Sequence, residues 1–145
     1  MANTYSFITF SCSISGPNGS FSLSNGNSEG GITFEYREAK NTQTIGADGT
    51  AMNSLHASNA GTITARFLKT SPTNALLSTM YDADRLDPTS WGQNIITGRD
   101  VNLGDHNTGK YCAFQKHPAT VYDKEGPALE WVFDVGQIDI NLGSI

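Results

Sequence analysis

Three histidines, three closely spaced aspartates and two cysteines are the residues of this 145-residue chain best equipped for chemistry. His56, His106 and His117 could each ligate a metal or relay a proton. None stands at the spacing from another His, Cys or acid that a metal site uses, as in HExxH or CxxC, so solvated or locally bonded histidines are expected. Asp82, Asp84 and Asp87 are close enough to suggest calcium. The run lacks the central glycine and distal glutamate of an EF-hand loop, and an acidic helix end is the simpler expectation. Serine and threonine abound, but there is no GxSxG elbow, and a nucleophile needs a positioned base. The glycine stretches "GADG" and "NGNSEGG" lack both the Lys-Ser/Thr of a P-loop and the strand–GxGxxG–helix context of a dinucleotide site; they are expected to be turns. No residue pair fills the geometric roles that catalysis requires, so the expectation is no enzyme, no catalytic residue, no metal and no cofactor. Asn18-Gly19-Ser20 matches a glycosylation sequon, which matters only in a secreted protein.

Composition narrows the class further. The chain is the size of one domain, expected to span residues 1–145, and it carries a net charge of −5 with only nine basic residues, scattered singly. Binding along phosphate backbones needs clustered cations, which are missing. The start, MANTYSFITFSCSISG, has no basic region before an unbroken apolar stretch, and no apolar run approaches the ~20 residues that cross a bilayer. A product of a reducing cytoplasm without membrane insertion is expected, with Cys12 and Cys112 as small buried thiols rather than a disulfide.

The elements show themselves by their periods. Ile8, Phe10, Cys12 and Ile14 alternate with small polar residues in a first strand, and Pro17-Asn18-Gly19 turns the chain into a short strand, Phe21 to Leu23. A glycine-rich loop, Asn25 to Gly31, precedes a strand with Ile32, Phe34 and Tyr36 on its inner face. Ile63, Ala65 and Phe67 repeat the pattern. Ser71-Pro72 is a helix N-cap with proline at the first helical position; Leu76, Leu77, Met80, Tyr81 and Ala83 follow at helical spacing, ending before Asp87-Pro88. Further strands are expected at Gln93 to Asp100, Lys110 to Lys116 and Ala119 to Tyr122, with a polar loop "NLGDHNTG" between the first two. In the last and longest strand Leu129, Trp131, Phe133 and Val135 share one face, and Ile138, Ile140 and Leu142 continue in the opposite phase, with Gly136 marking a bulge. Tyr5, Phe7, Tyr36, Tyr111, Tyr122, Trp131 and Phe133 are read as core packing, since no basic groove accompanies the rings. The fold class is all-β with one helix: an antiparallel sandwich or partial barrel, a flanking α-helix and an extended hairpin arm.

That arm, "NTQTIGADGTAMNSLHA" within about residues 38–57, is the segment without an internal role. Asp48-Gly49 suits a tight hairpin turn, yet neither face carries an apolar stripe to hold it on a core. An isolated ribbon is marginal in water, and strand edges are normally guarded by charge; between Thr42 and Ala57 the only formal charge is Asp48. A second copy of the chain is the economical cover, with Ile45, Met52 and Leu55 as apolar anchors and Asp48, Gly49 and His56 completing the subunit interface. An ordinary mobile loop is the plain alternative.

The stretches "KNTQTIGADGTAMNSLHASNAGTITARFLKTSPTNALLSTMY", "WGQNIITGRD" and "KEGPALEWVFDVGQIDINLG" resemble, in that order, the tail tube proteins of contractile-tailed bacteriophages. The resemblance runs from about Tyr5 to Gly143. It implies two antiparallel sheets packed beside one helix, and six copies closing a ring. Such rings stack into a hollow tube that passes DNA without binding it specifically. It also implies a virion component assembled in the host cytoplasm, with itself, a tail sheath protein and baseplate or terminator proteins as partners. The arm becomes the loop that reaches neighbouring subunits; a contact repeated about an axis makes a ring, and a head-to-tail contact along it makes a filament. DNA carries one negative charge per ~1.7 Å of axis, so a tube that passes it should present a weakly repelling wall. Acids outnumber bases where strand faces meet turns, Glu29, Glu35 and Glu38 against Arg37, and Asp123 and Glu125 against Lys124. Glu35, Glu38, Asp123 and Glu125 are therefore expected to face the lumen. The alternative from another class is a monomeric β-sandwich module whose ligand surface is formed by Asn102 to Gly109 and Asn25 to Gly31.

Overall fold

Backbone pairing in the computed structural model, which describes residues 10–23 and 27–143, joins seven strands into one antiparallel sheet and sets a two-stranded ribbon apart from it. In chain order these are β1 (Phe10–Gly16), β2 (Gly19–Ser22), β3 (Asn27–Tyr36), the ribbon strands β4 (Asn41–Ile45) and β5 (Ala51–Leu55), β6 (Gly61–Leu68), the helix α1 (Pro72–Leu86), β7 (Asn94–Asp100), β8 (Asp105–Phe114) and β9 (Ala128–Asn141). Across the sheet the order is β2-β1-β7-β8-β9-β6-β3. The all-β class with one helix holds, but the layers belong to one continuous sheet that curls without closing. Ile8, Tyr5, Phe7, Asn25 and the side chain of Glu29 lie outside the described residues.

The curl has a measurable cause. Four ladder spacings separate β3 from β7, roughly 19 Å in a flat sheet. Yet a Cβ built on Gly98 of β7 would fall 2.8 Å from Cζ of Phe34 in β3 and 3.0 Å from Cζ of Phe10. Only a bare backbone admits both rings. The concave face so formed holds Ile14, Ile63, Phe67, Ile96, Phe114, Trp131, Phe133 and Ile138, all but excluded from water, and α1 presses Leu77 and Met80 onto it.

Helix α1 starts as its cap residues demand: Ser71 Oγ accepts the Thr73 N–H at 3.3 Å and Pro72 opens the first turn. Its buried stripe is Thr73, Leu77, Met80 and Asp84, whereas Leu76 is half exposed and Ala83 only partly covered. Apolar spacing located the helix but placed its inner face off by part of a turn, because a polar Asp84 is buried by partners distant in sequence.

Three expected segments differ. Ala119 to Tyr122 is not a strand; the chain from Gln115 to Pro127 crosses the end of the sheet, where His117 packs edge-on to Trp131 with ring centroids 5.0 Å apart. The polar stretch Asn102 to Gly109 is mostly strand, since β8 begins at Asp105. Asp100 makes this possible: its Oδ1 accepts the N–H groups of Asn102 and Leu103, tightening the turn to four residues. Likewise the backbone of the glycine-rich stretch is strand from Asn27 onward.

β9 changes phase where expected. Trp131, Phe133 and Val135 are buried, then Ile138, on either side of Gly136. Register with β8 runs unbroken through Cys112↔Val135 and Lys110↔Gln137, so both strands turn over together. The irregularity appears instead between β7 and β8, beside Tyr111, whose φ of 57° is the left-handed conformation that costs a non-glycine residue. A Cβ on Gly136 would lie 3.0 Å from Cβ of Tyr111, so the double kink needs glycine opposite the aromatic. Leu142, expected in the apolar set, is exposed.

Cys12 and Cys112 are free buried thiols. β7 separates their strands by two ladder spacings, roughly 10 Å, beyond the reach of a disulfide. Burial pushes both thiols up to about 12. Below the unfolded value near 9 their contribution is fully present; above it the unfolded chain loses protons that the folded chain keeps. Stability is therefore expected to fall between pH 9 and 12, approaching about 1.4 kcal/mol per pH unit for each thiol. Urea melts across this range should show a slope that Cys12→Ala flattens; an unchanged slope would place the alkaline loss elsewhere.

Candidate assembly surface

The ribbon is a regular hairpin with no cover from the other described residues of its chain. Its register runs from Asn41↔Leu55 to Ile45↔Ala51, and among the described residues β4 and β5 pair with no other strand. Gly46 N–H donates to Thr50 O at 2.8 Å, Gly49 N–H to Gly46 O at 2.9 Å, and Gly49 takes the positive φ, 89°, that closes the tip. Asp48 Oδ1 accepts the Thr50 N–H at 3.0 Å; hydrogen bonds from Thr50, the backbone N–H first, hold its carboxyl below the usual carboxylate range. At the base Lys40 Nζ donates to Ser58 O at 2.6 Å and also to Asn59 Oδ1, while Arg37 N–H donates to Ala60 O at 3.0 Å. Polar side chains lace the middle, Gln43 Nε2 donating to Asn53 Oδ1 at 2.9 Å and Thr42 Oγ1 meeting His56 Nε2 at 2.6 Å.

Pairing also sorts the anchors by face. Residues directly opposite in an antiparallel pair point the same way, so Ile45, Ala51 and Leu55 share one face with Gln43 and Asn53. Met52 stands on the other with Thr42, Thr44 and Ser54. The three expected anchors do not converge. Ile45 is 58% exposed, Met52 60% and Leu55 85%, values that leave most of their apolar area for a partner on each side. Covering such a side chain contributes about 1 to 2 kcal/mol.

The expected lumen acids split into two groups. Glu35 pairs with Thr62 near the start of β6, and Glu38 follows just before the ribbon. Asp123 and Glu125 lie on the crossing loop near the opposite end of β6, where Leu68 pairs with Ala128 and Lys69 Nζ reaches Val121 O at 3.2 Å. All four are exposed.

One surface was not singled out by sequence: the sheet face away from α1. Ladder partners place Ser13, Thr97, Thr108 and Asp139 in one row across it, and Ala113, Asp134, Thr62 and Glu35 in another. Its charges largely cancel, with Arg37 to Asp134 at 3.0 Å and Arg66 to Glu130 at 2.9 Å. The signal was available as the polar half of each alternation, once strand order was known.

The chemical candidates are spread apart. His117 Nδ1 meets Pro118 O at 2.9 Å and its Nε2 meets Ser78 Oγ at 3.2 Å; His106 is exposed opposite Arg99. Asp82 pairs with Arg85, Asp87 accepts from Thr89 and Ser90, and Asp84 points inward. Among the described residues no three His, Cys, Asp or Glu side chains gather where a metal could sit, and no helix is long and apolar enough to cross a membrane. A cavity of about 370 Å³ opens at the mouth of the curl, between Phe34, Ile140, Asp105 and Asn107.

Comparison with known proteins gives this geometry its context. A family model described as bacteriophage PhiTE tail tube protein matches residues 1–143. No curated protein sequence matches the chain. Among solved structures, similarity extends to a chain of an extracellular contractile injection system, the PVC sheath-tube complex in the extended state, at 12% identity and TM-score 0.57, covering 92% of this chain and 88% of that one. A chain of the anti-feeding prophage tube-terminating cap is similar at 13% identity and TM-score 0.56, covering 99% and 95%. A chain of the six-fold symmetrised anti-feeding prophage baseplate is similar at 14% identity and TM-score 0.50, covering 92% of each. At these identities the likeness speaks for the fold.

Proposed function

Because the chain belongs to the bacteriophage PhiTE tail tube protein family, and is thus a structural component of the phage tail, we propose that its copies close six-membered rings which stack into the hollow tube that passes DNA. The observation that carries this reading is the ribbon: a well-formed hairpin whose apolar side chains on both faces stay exposed among the described residues. Two copies, one against each face, would cover them. Among the described residues the sheet leaves β2 and β3 as edges with one partner each, so a heterologous contact between edges is available for closing a ring. The six-fold baseplate of the structural relative favours six. Sheath, terminator and baseplate proteins are the further partners, in line with the assemblies in which the relatives occur.

The bare sheet face is proposed to line the lumen, leaving α1 outside. Hydroxyls and cross-strand ion pairs make a wall on which Arg37 and Arg66 are already held by acids rather than free to grip DNA. Glu35 and Glu38 then lie at one rim of that wall and Asp123 and Glu125 toward the other. Glu35→Lys with Glu38→Lys, and Asp123→Lys with Glu125→Lys, should leave tubes intact while slowing DNA delivery. Normal delivery through intact tubes would remove the pair concerned from the lumen, and loss of tubes would move it to a subunit contact.

Negative-stain images of the concentrated protein test assembly directly. Rings or tubes are expected. Featureless particles would favour the second reading, a monomeric binding module using the cavity beside Asp105 and Asn107.

A further inference from the structure

Helix α1 is fastened to the first hairpin by a carboxylate that, among the described residues, pairs with no cation. Asp84, 1% exposed, accepts Asn94 Nδ2 on Oδ2 at 2.9 Å and Asn18 Nδ2 on Oδ1. Among the described residues these two neutral amides are its side-chain partners, and it sits in the last helical turn, where the helix's own carbonyls are already negative. Asn94 is fully buried, its Oδ1 packed so closely on Gly16 that a Cβ there would lie 1.9 Å from it. Asn18 is the turn residue between β1 and β2, and Gly19 follows it. An asparagine followed by glycine is the pair most open to deamidation, since no side chain shields the attacking nitrogen.

We infer that Asn18 is a deamidation site gated by folding, and that Asp84 converts the modification into loss of the helix–hairpin junction. The Gly19 backbone nitrogen attacks Cγ of Asn18, the bond from Cγ to Nδ2 breaks, and ammonia leaves with the proton given up by the Gly19 nitrogen. Water then opens the succinimide to aspartate or isoaspartate, so the net change is water consumed and ammonia released. In the folded chain the amide is held on Asp84 and Gly19 is paired with Gly16 across the hairpin. Unfolding frees both. The product replaces the donor with a second carboxyl group, so Asp84 Oδ1 loses its partner and meets a like group instead. A subunit that has opened for long is thereby marked against refolding, whereas one kept folded retains Asn18.

Peptide mapping of the full chain, incubated at mildly alkaline pH with and without urea, reads the gate; the other Asn-Gly pair, Asn25-Gly26, falls at a separate position in the map. Asn18 should deamidate at least about tenfold more slowly in the native protein, because local opening must come first. Equal rates would overturn the gate. Asn18→Asp should melt several degrees below the parent, and adding Asp84→Asn should recover part of the loss by removing the like charge. An Asn18→Asp chain as stable as the parent, or a double variant no better than the single one, would overturn the role of Asp84.

Discussion

Trp131→Ala is expected to cost about 3 to 5 kcal/mol of folding stability, a large part of what a domain of this size possesses. The residue is 1% exposed and stands on the inner face of β9, between the helix and the crossing loop. Its ring meets Phe114 edge-on at 5.9 Å and His117 at 5.0 Å, and its Nε1 donates to Asn74 Oδ1 at 3.1 Å. Truncation therefore opens a cavity and removes one tie between the first turn of α1 and the sheet, leaving Asn74 Nδ2 on Leu68 O of β6 as the other. Phe133, fully buried and 4.9 Å from Phe114, should behave similarly. Urea melts of the purified variants check this. A Trp131→Ala protein that melts like the parent yet fails to assemble would make this face an interface, contrary to its burial.

Replacing residues 41–57 with a short Gly-Ser link should do the reverse, abolishing tubes while leaving the fold nearly as stable. None of the ribbon's strand residues is part of the buried core, and the sheet is complete without them. Loop closure changes only slowly with length, so the link costs little. Finer variants use the division of the faces. Leu55→Asp and Met52→Asp each place a charge on one face only, and each should weaken assembly, because a face covered by a neighbour cannot accept an unpaired carboxylate cheaply. Tubes formed at normal concentration by the deleted chain would end the case for an assembly arm; a deleted chain that does not fold would return the ribbon to the core. If only one of the two point variants matters, a single copy covers the ribbon.

The amino-acid sequence by itself determined what depends on neighbours along the chain. Alternation marks burial directly, so the strands around Cys12, Ile63 and Trp131 could be read, and so could the phase change at Gly136. Ser71-Pro72 announced the helix because capping chemistry acts within one turn. The ribbon stood out for the same local reason: a hairpin turn flanked by residues too polar for a core and too little charged for a free edge.

Tertiary structure decided everything that rests on partners far apart in sequence. Gly98 is bare because Phe34, more than sixty positions earlier, curls over it. Asp84 could be buried because Asn18 and Asn94 supply its donors, so the helix's inner face departs from its apolar spacing. The polar run from Asn102 to Gly109 reads as loop until β7 and β9 flank its second half; from Asp105 on its backbone groups are satisfied between two strands, and His106 and Thr108 face outward. Even the ribbon's anchors were sorted onto opposite faces only by register, since a shift of one residue would exchange every side chain between them. Spacing records how often a residue meets the core, and only the folded chain says which residue it meets there.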